Sequence, residues 1–269
     1  MIHDFRSDSK SRIKNQESRI EVSGSYMRDL DWHAPDTPLR ESVLRAMAIG
    51  LAGVIGIAWA ARPPLQLGAL HTAKAAVVFA TTMMIAFGFV GDHHPFLRFG
   101  PANQVTMIRA MLVALIAGLI GEPTTPRVAG AASSAAVIMT VLDGVDGFLA
   151  RRSRMVSAFG ARFDMETDAV FVMAMSILVW QHTKTGPWIL LGGMMRYAFI
   201  LAGSWLPWMA RPLRPTRRAR VISACHMAGL SVALAPVVPS PLNTIVVAST
   251  LAALTWSFAA DVRRLWRME

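Results

Sequence analysis

The sequence predicts an all-α, polytopic helical membrane protein, and three observations carry that expectation. Of the 269 residues 54% are hydrophobic and only 16% charged, well below the roughly 25% charged residues of a soluble globular domain. Apolar runs of about 16–23 residues recur after position 40, near the ~20 residues that cross a bilayer as helix. Breaker-rich segments separate them: Arg62-Pro63-Pro64, Gly121-Glu122-Pro123, Gly186-Pro187, and Pro236 through Pro241.

In chain order, residues 1–40 are polar, have no apolar signal core and no sustained periodicity, and so read as a cytoplasmic tail. Eight apolar runs follow: Val43 to Ala61, Ala69 to Val90, Val105 to Ile120, Val128 to Ala150, Asp164 to Trp180, Trp188 to Trp208, Val221 to Val238 and Leu242 to Val262. The third is short, and the seventh carries Pro236 near its end.

The formal net charge is +10, but residues 1–40 hold seven of the 27 basic and seven of the 17 acidic residues, which cancel. The whole excess therefore lies in the apolar part, which excludes a basic nucleic-acid-binding tail; no nucleic acid partner is expected. Cys225 has no second cysteine to pair with, which excludes a disulfide-stapled secreted domain. One set of connections and ends carries thirteen arginines: Arg98, Arg151, Arg152, Arg154, Arg162, Arg211, Arg214, Arg217, Arg218, Arg220, Arg263, Arg264 and Arg267. The opposite set carries Arg62, Arg127 and Lys184. Because basic residues accumulate on the cytoplasmic side, both termini are expected there, in a multi-pass protein of the inner (plasma) membrane.

Of the ten acidic residues after position 40, five lie within 143–168: Asp143, Asp146, Asp164, Glu166 and Asp168. An Asp at a helix centre costs ~2.5–3.5 kcal/mol on insertion scales, so four in one hairpin need compensation. Asp143 and Asp146 are three apart and Asp164 and Asp168 four apart, so each pair shares a helix face, while Glu166 points elsewhere. The connection from Arg151 to Phe163 can turn the chain back and set the two faces opposite each other. Converging carboxylates repel unless protonated or bridged, and hard oxygen ligands in that number suit Mg²⁺ or Mn²⁺. The helical spacing excludes an EF-hand. Gly147, one turn from Asp143, leaves room for a ligand at the backbone. Arg151, a turn further, can pair bidentately with phosphate, and Gly160 shares a face with Asp164 and Asp168.

The run Asp143-x-x-Asp146-Gly147-x-x-Ala150-Arg151, eight residues, then Gly160-x-x-x-Asp164-x-x-x-Asp168 resembles the full signature of the CDP-alcohol phosphotransferases. The resemblance covers roughly 101–262. Asn103, Thr106 and Arg109 also keep the spacing of a family pattern that opens the first core helix, Pro-Asn-x-x-Thr-x-x-Arg, although Ala102 replaces its Pro and Pro101 comes one residue early. The resemblance implies a six-helix core at 96–269, preceded by two additional transmembrane helices within 41–95.

It further implies a metal-dependent enzyme that displaces CMP from CDP-diacylglycerol or another CDP-alcohol with the hydroxyl of a small alcohol acceptor at the lipid bilayer. Asp143, Asp146, Asp164 and Asp168 would hold one or two Mg²⁺ or Mn²⁺ ions, and Asp168 would also be the general base. Gly147, Arg151, Ser157 and Gly160 would line the CDP half, and a homodimer is expected. The acceptor side has no matching signature, so glycerol phosphate, serine, inositol phosphate and a second lipid all stay open.

The alternative is a Mg²⁺ channel or transporter using the same acids; the Arg and Gly positions favour a nucleotide diphosphate. Simple salt bridging with Arg151, Arg152 and Arg162 would not require the glycines. Arg196, mid-helix in the sixth run, reads equally as a functional group, a snorkelling residue or one side of an interhelical bond. The Arg211 to Arg220 cluster could hold an acceptor phosphate, though the positive-inside bias and anionic lipid explain it better. His93, His94 and His226 lack ligand spacing and read as interfacial or packing residues. The 17 Met and eight Trp need no cofactor, because lipid-facing packing and interfacial belts account for them.

Overall fold

The described residues form eight α-helices and no strand: α1 (Thr37–Leu65), α2 (His71–Gly88), α3 (Pro101–Gly118), α4 (Pro126–Ser153), α5 (Ala158–Thr183), α6 (Leu191–Trp205), α7 (Arg217–Leu234) and α8 (Leu242–Trp266). Short 3-10 turns at Pro187–Leu190 and Pro207–Ala210 flank α6. The structure, a computed structural model, describes residues 37–88, 99–153, 157–183, 185–210 and 216–267. Most of the 1–40 tail, His93, His94, Arg98, Arg154, Lys184, Arg211 and Arg214 lie outside the described residues.

Each of these helices holds most of one apolar run, the sixth run also taking in residues of the 3-10 turns that flank α6. Leu39–Leu65, Pro101–Gly118, Pro126–Val145 and Leu242–Trp266 are long and apolar enough to cross a membrane, and His71–Phe87 is an apolar helix of shorter length. The chain is a polytopic helical membrane protein. Helix ends depart from the apolar runs for local reasons. Pro63 and Pro64 fall inside the last turn of α1, so the lost N–H bonds weaken only that turn, and the chain leaves at Gln66 with φ 56°. α7 stops at Leu234, ahead of Pro236. α5 begins six residues before its apolar run. Ser157 sits just ahead of it, and its Oγ accepts the Gly160 N–H at 3.1 Å, satisfying an otherwise orphan donor of the first turn. Asp164 and Asp168 are thereby inside α5 rather than at its start.

α3 is the central helix. It packs on α1, α2, α4 and α5, and 56% of its span is buried against 22–33% for the other three candidate spans. Gly100, with φ 83°, turns the chain into it, and Pro101 takes the first helical position, where no N–H is needed. One of its sides joins a core with Met139, Phe171, Leu178 and Leu230; the other joins Val54, Phe79 and Phe159. In lipid such contacts hold by close packing more than by water exclusion, so small residues set helix distances. At Gly193 a Cβ would lie 2.7 Å from the Cα of Met173, so α6 rests on the α5 backbone.

The connection between α3 and α4 is stapled to both neighbours. Glu122 Oε2 accepts the Gly68 N–H at 2.6 Å, and Lys74 Nζ donates to Glu122 Oε1 at 2.5 Å and to the Ile120 carbonyl at 2.8 Å. Gln181, near the end of α5, donates to the Glu122 carbonyl and accepts from the Gly121 N–H, each at 2.9 Å. These bonds tie α2 and the α1–α2 turn to the core at the end of α3 away from Pro101.

Candidate active site

At the other end of the bundle, α3, α4 and α5 bring three acids together. Asp143 on α4 and Asp164 and Asp168 on α5 each offer a carboxylate oxygen, and these atoms lie within 4.8 Å of one another. From the 1.5 Å helical rise, Asp164 is about 9 Å along α5 from its first residue and Asp168 about 15 Å, so the cluster is recessed below the helix ends. The four-residue spacing of Asp164 and Asp168 puts both on the α5 face that packs on α3.

Between the carboxylates lies Arg109 of α3, whose side chain is 0% exposed while those of the three acids are 30–38% exposed. Its Nη2 is 2.8 Å from Asp143 Oδ1 and also bonds Asp168 Oδ1, and its Nη1 bonds Asp164 Oδ1. Compensating charge thus reaches the acids from the third helix, a source that the hairpin sequence does not contain. Arg109 was visible in the sequence only as the last member of a helix-opening pattern; its partners are 34 to 59 residues away, and no local spacing reports such a contact.

The oxygen donors and their spacing fit a hard divalent ion held by Asp143, Asp164 and Asp168. Asp146, Gly147 and Arg151 lie on the same last turns of α4, and their side chains are outside the described residues.

Gly160 and Ser157 adjoin the acids on α5 and have visible structural partners. A Cβ at Gly160 would lie 2.9 Å from Asn103 Oδ1 and 3.3 Å from Ser157 Oγ, so the absent side chain lets α5 approach Asn103 of α3. Asn103 in turn donates to the Phe99 carbonyl at 2.5 Å. Phe159 stacks on Phe163 with ring centroids 5.7 Å apart, and Phe99 lies tilted against both at 6.2 and 6.5 Å, so that the three rings pack together at this end of the site.

Other charged residues singled out in the sequence have partners elsewhere. Glu166, which the spacing turned away from the cluster, pairs with Arg196 of α6 at 2.5 Å, which makes Arg196 an interhelical bond. Arg218 pairs with Asp261 of α8 at 2.8 Å and lies 5.0 Å over the Trp256 ring. His226 is buried, with Nδ1 3.2 Å from Thr250 Oγ1, in keeping with a packing role.

The fold and the site define a class: a helical membrane bundle with a centre of clustered acids that could hold a metal ion. The family model for CDP-alcohol phosphatidyltransferase matches residues 99–260, and the chain belongs to that family. Its members transfer the substituted phosphate of a CDP-linked alcohol to a second alcohol. The matched region starts at Phe99 and leaves α1 and α2 outside. No match to this chain was found among curated proteins or among solved structures.

Proposed function

We propose that this protein uses CDP-diacylglycerol as donor and transfers its phosphatidyl group to the hydroxyl of a small alcohol, releasing CMP. The observation that carries the reading is the convergence of Asp143, Asp164 and Asp168 from two segments of one family signature. A Mg²⁺ or Mn²⁺ ion held there, with Asp146 as a further ligand, would neutralise the diphosphate and the leaving CMP. Asp168 takes the proton of the acceptor hydroxyl as its oxygen bonds to the phosphorus that carries diacylglycerol. The bond from that phosphorus to the CMP oxygen breaks, and CMP leaves with the electron pair. Gly147, Arg151, Ser157 and Gly160 line the CDP half, with the Arg151 fork suited to phosphate oxygens.

The catalytic unit is read as 96–269, with 41–95 an additional helix pair and 1–40 a tail. Both termini face the cytoplasm of the inner membrane, and the molecule works as a homodimer. The recessed position of the acids suits a donor whose polar head enters the bundle while its acyl chains stay in lipid.

The test is to supply labelled CDP-diacylglycerol, a panel of alcohols and Mg²⁺ or Mn²⁺ to the purified protein in micelles, and to identify the lipid formed and the CMP released. Chelation should abolish turnover and added ion restore it. Asp168→Asn should leave a folded protein without turnover; retained CMP release would remove Asp168 from the mechanism. Movement of labelled metal across liposomes without any CDP-lipid would favour a transporter instead.

A further inference from the structure

The carboxylates gathered at the site already share a cation of the protein's own. Arg109 is fully buried on the most enclosed of the four candidate spans, whereas Asp143, Asp164 and Asp168 keep about a third of their side chains exposed. The acids therefore meet Arg109 from within the bundle and remain accessible from outside it. A buried guanidinium is costly without anionic partners, and clustered carboxylates are costly without a cation, so each stabilises the other. A divalent ion taken by the same oxygens would meet the Arg109 charge at short range, where water screens little, and like charges there repel.

We infer that Arg109 is a built-in counter-cation: it holds α3, α4 and α5 together at the acids when no divalent ion is bound, and it opposes the ion for the same carboxylates. The inference rests on the reading of Asp143, Asp164 and Asp168 as a divalent-ion site. Two consequences follow from the charge balance. The junction of the three helices assembles without metal, and the ion binds more weakly than the donor set alone would allow, so it remains exchangeable. Arg109 acts through the aspartates and is a positioning residue rather than a catalytic one.

The test is a thermodynamic cycle on the full chain in micelles, comparing wild type, Arg109→Gln and Arg109→Lys. Melting is followed in chelator and across a Mn²⁺ titration, and Mn²⁺ binding is measured by electron paramagnetic resonance. In chelator Arg109→Gln should melt well below wild type, and saturating Mn²⁺ should raise its Tm by more than it raises that of wild type. By linkage its Mn²⁺ affinity should rise roughly tenfold or more. Arg109→Lys, which keeps the charge, should bind Mn²⁺ as wild type does.

A packing role alone would lower both melting points equally and leave Mn²⁺ affinity unchanged, which would overturn the inference. Weaker Mn²⁺ binding by Arg109→Gln would overturn it too, because Arg109 would then be helping the ion. So would failure of this variant to fold in Mn²⁺ as well as in chelator, since the ion should replace the lost charge. Absence of Mn²⁺ binding to wild type is a different result: it would remove the divalent-ion reading itself.

Discussion

Glu122 is a carboxylate 7% exposed in the turn between α3 and α4. Burial alone would raise its pKa, but the Lys74 and Gly68 hydrogen bonds and the Lys74 charge outweigh that and hold it below the usual carboxylate range. A depressed folded value means that its stabilising contribution is fully present above the unfolded value of about 4.3 and is lost as pH falls through the folded value. Glu122→Gln should therefore melt below wild type at pH 6, and the gap should narrow progressively as the pH falls below about 4.3; a gap that widens on acidification would contradict the assignment. The pairing of Glu166 with Arg196 shows what single residues disclose in sequence. Spacing separated Glu166 from the aspartates, yet its partner on α6 is 30 residues away and could not be selected from the other arginines. Asp143, Asp164 and Asp168 were legible because helical periodicity and the signature both pointed to one face. Arg109 was not, since its role depends on where α3 lies relative to two other helices.

Among the helices, hydropathy located all eight segments but misplaced several ends, because apolarity reports which residues tolerate lipid and not where backbone hydrogen bonding begins. α5 is the clearest case: its first turn is capped by Ser157 and walled by Phe159 and Phe163, none of which an apolar-run criterion recognises as helix. Contacts between helices depend on residues that look unremarkable in sequence. Gly193 is one, because a methyl group there would meet the α5 backbone rather than a flexible side-chain tip. Gly193→Ala should cost about 1–3 kcal/mol through forced separation of α5 and α6. Its thermal unfolding in micelles should move down accordingly, while an unchanged Tm would mean that the two helices are not held this closely. Gly160 sits in a comparable contact with Asn103, so a loss of turnover in Gly160→Ala would need a donor-binding measurement before it could be assigned to the CDP half.

At the scale of the molecule, the bundle is tied twice along α3, by the Glu122, Lys74 and Gln181 bonds beyond its last turn and by Arg109 and the aspartates near its middle. The first tie attaches α1 and α2, which lie outside the family match, to the core. The second has a consequence for biogenesis. α3 has the lowest mean hydropathy of the four candidate spans, 1.2 against 1.6–1.9, and it carries Arg109. Its neutralising acids are made later, on α4 and α5. A lone arginine at a helix centre costs ~2.5–3.5 kcal/mol on insertion, so a nascent chain that stops after α3 should enter lipid poorly. Glycosylation mapping of chains ending near residues 125 and 183 should show α3 better inserted in the longer one, and Arg109→Leu should erase the difference. The order of synthesis would then require α3 to wait beside the translocation machinery for its acidic partners, so that the site's charge balance also sets when its central helix is released.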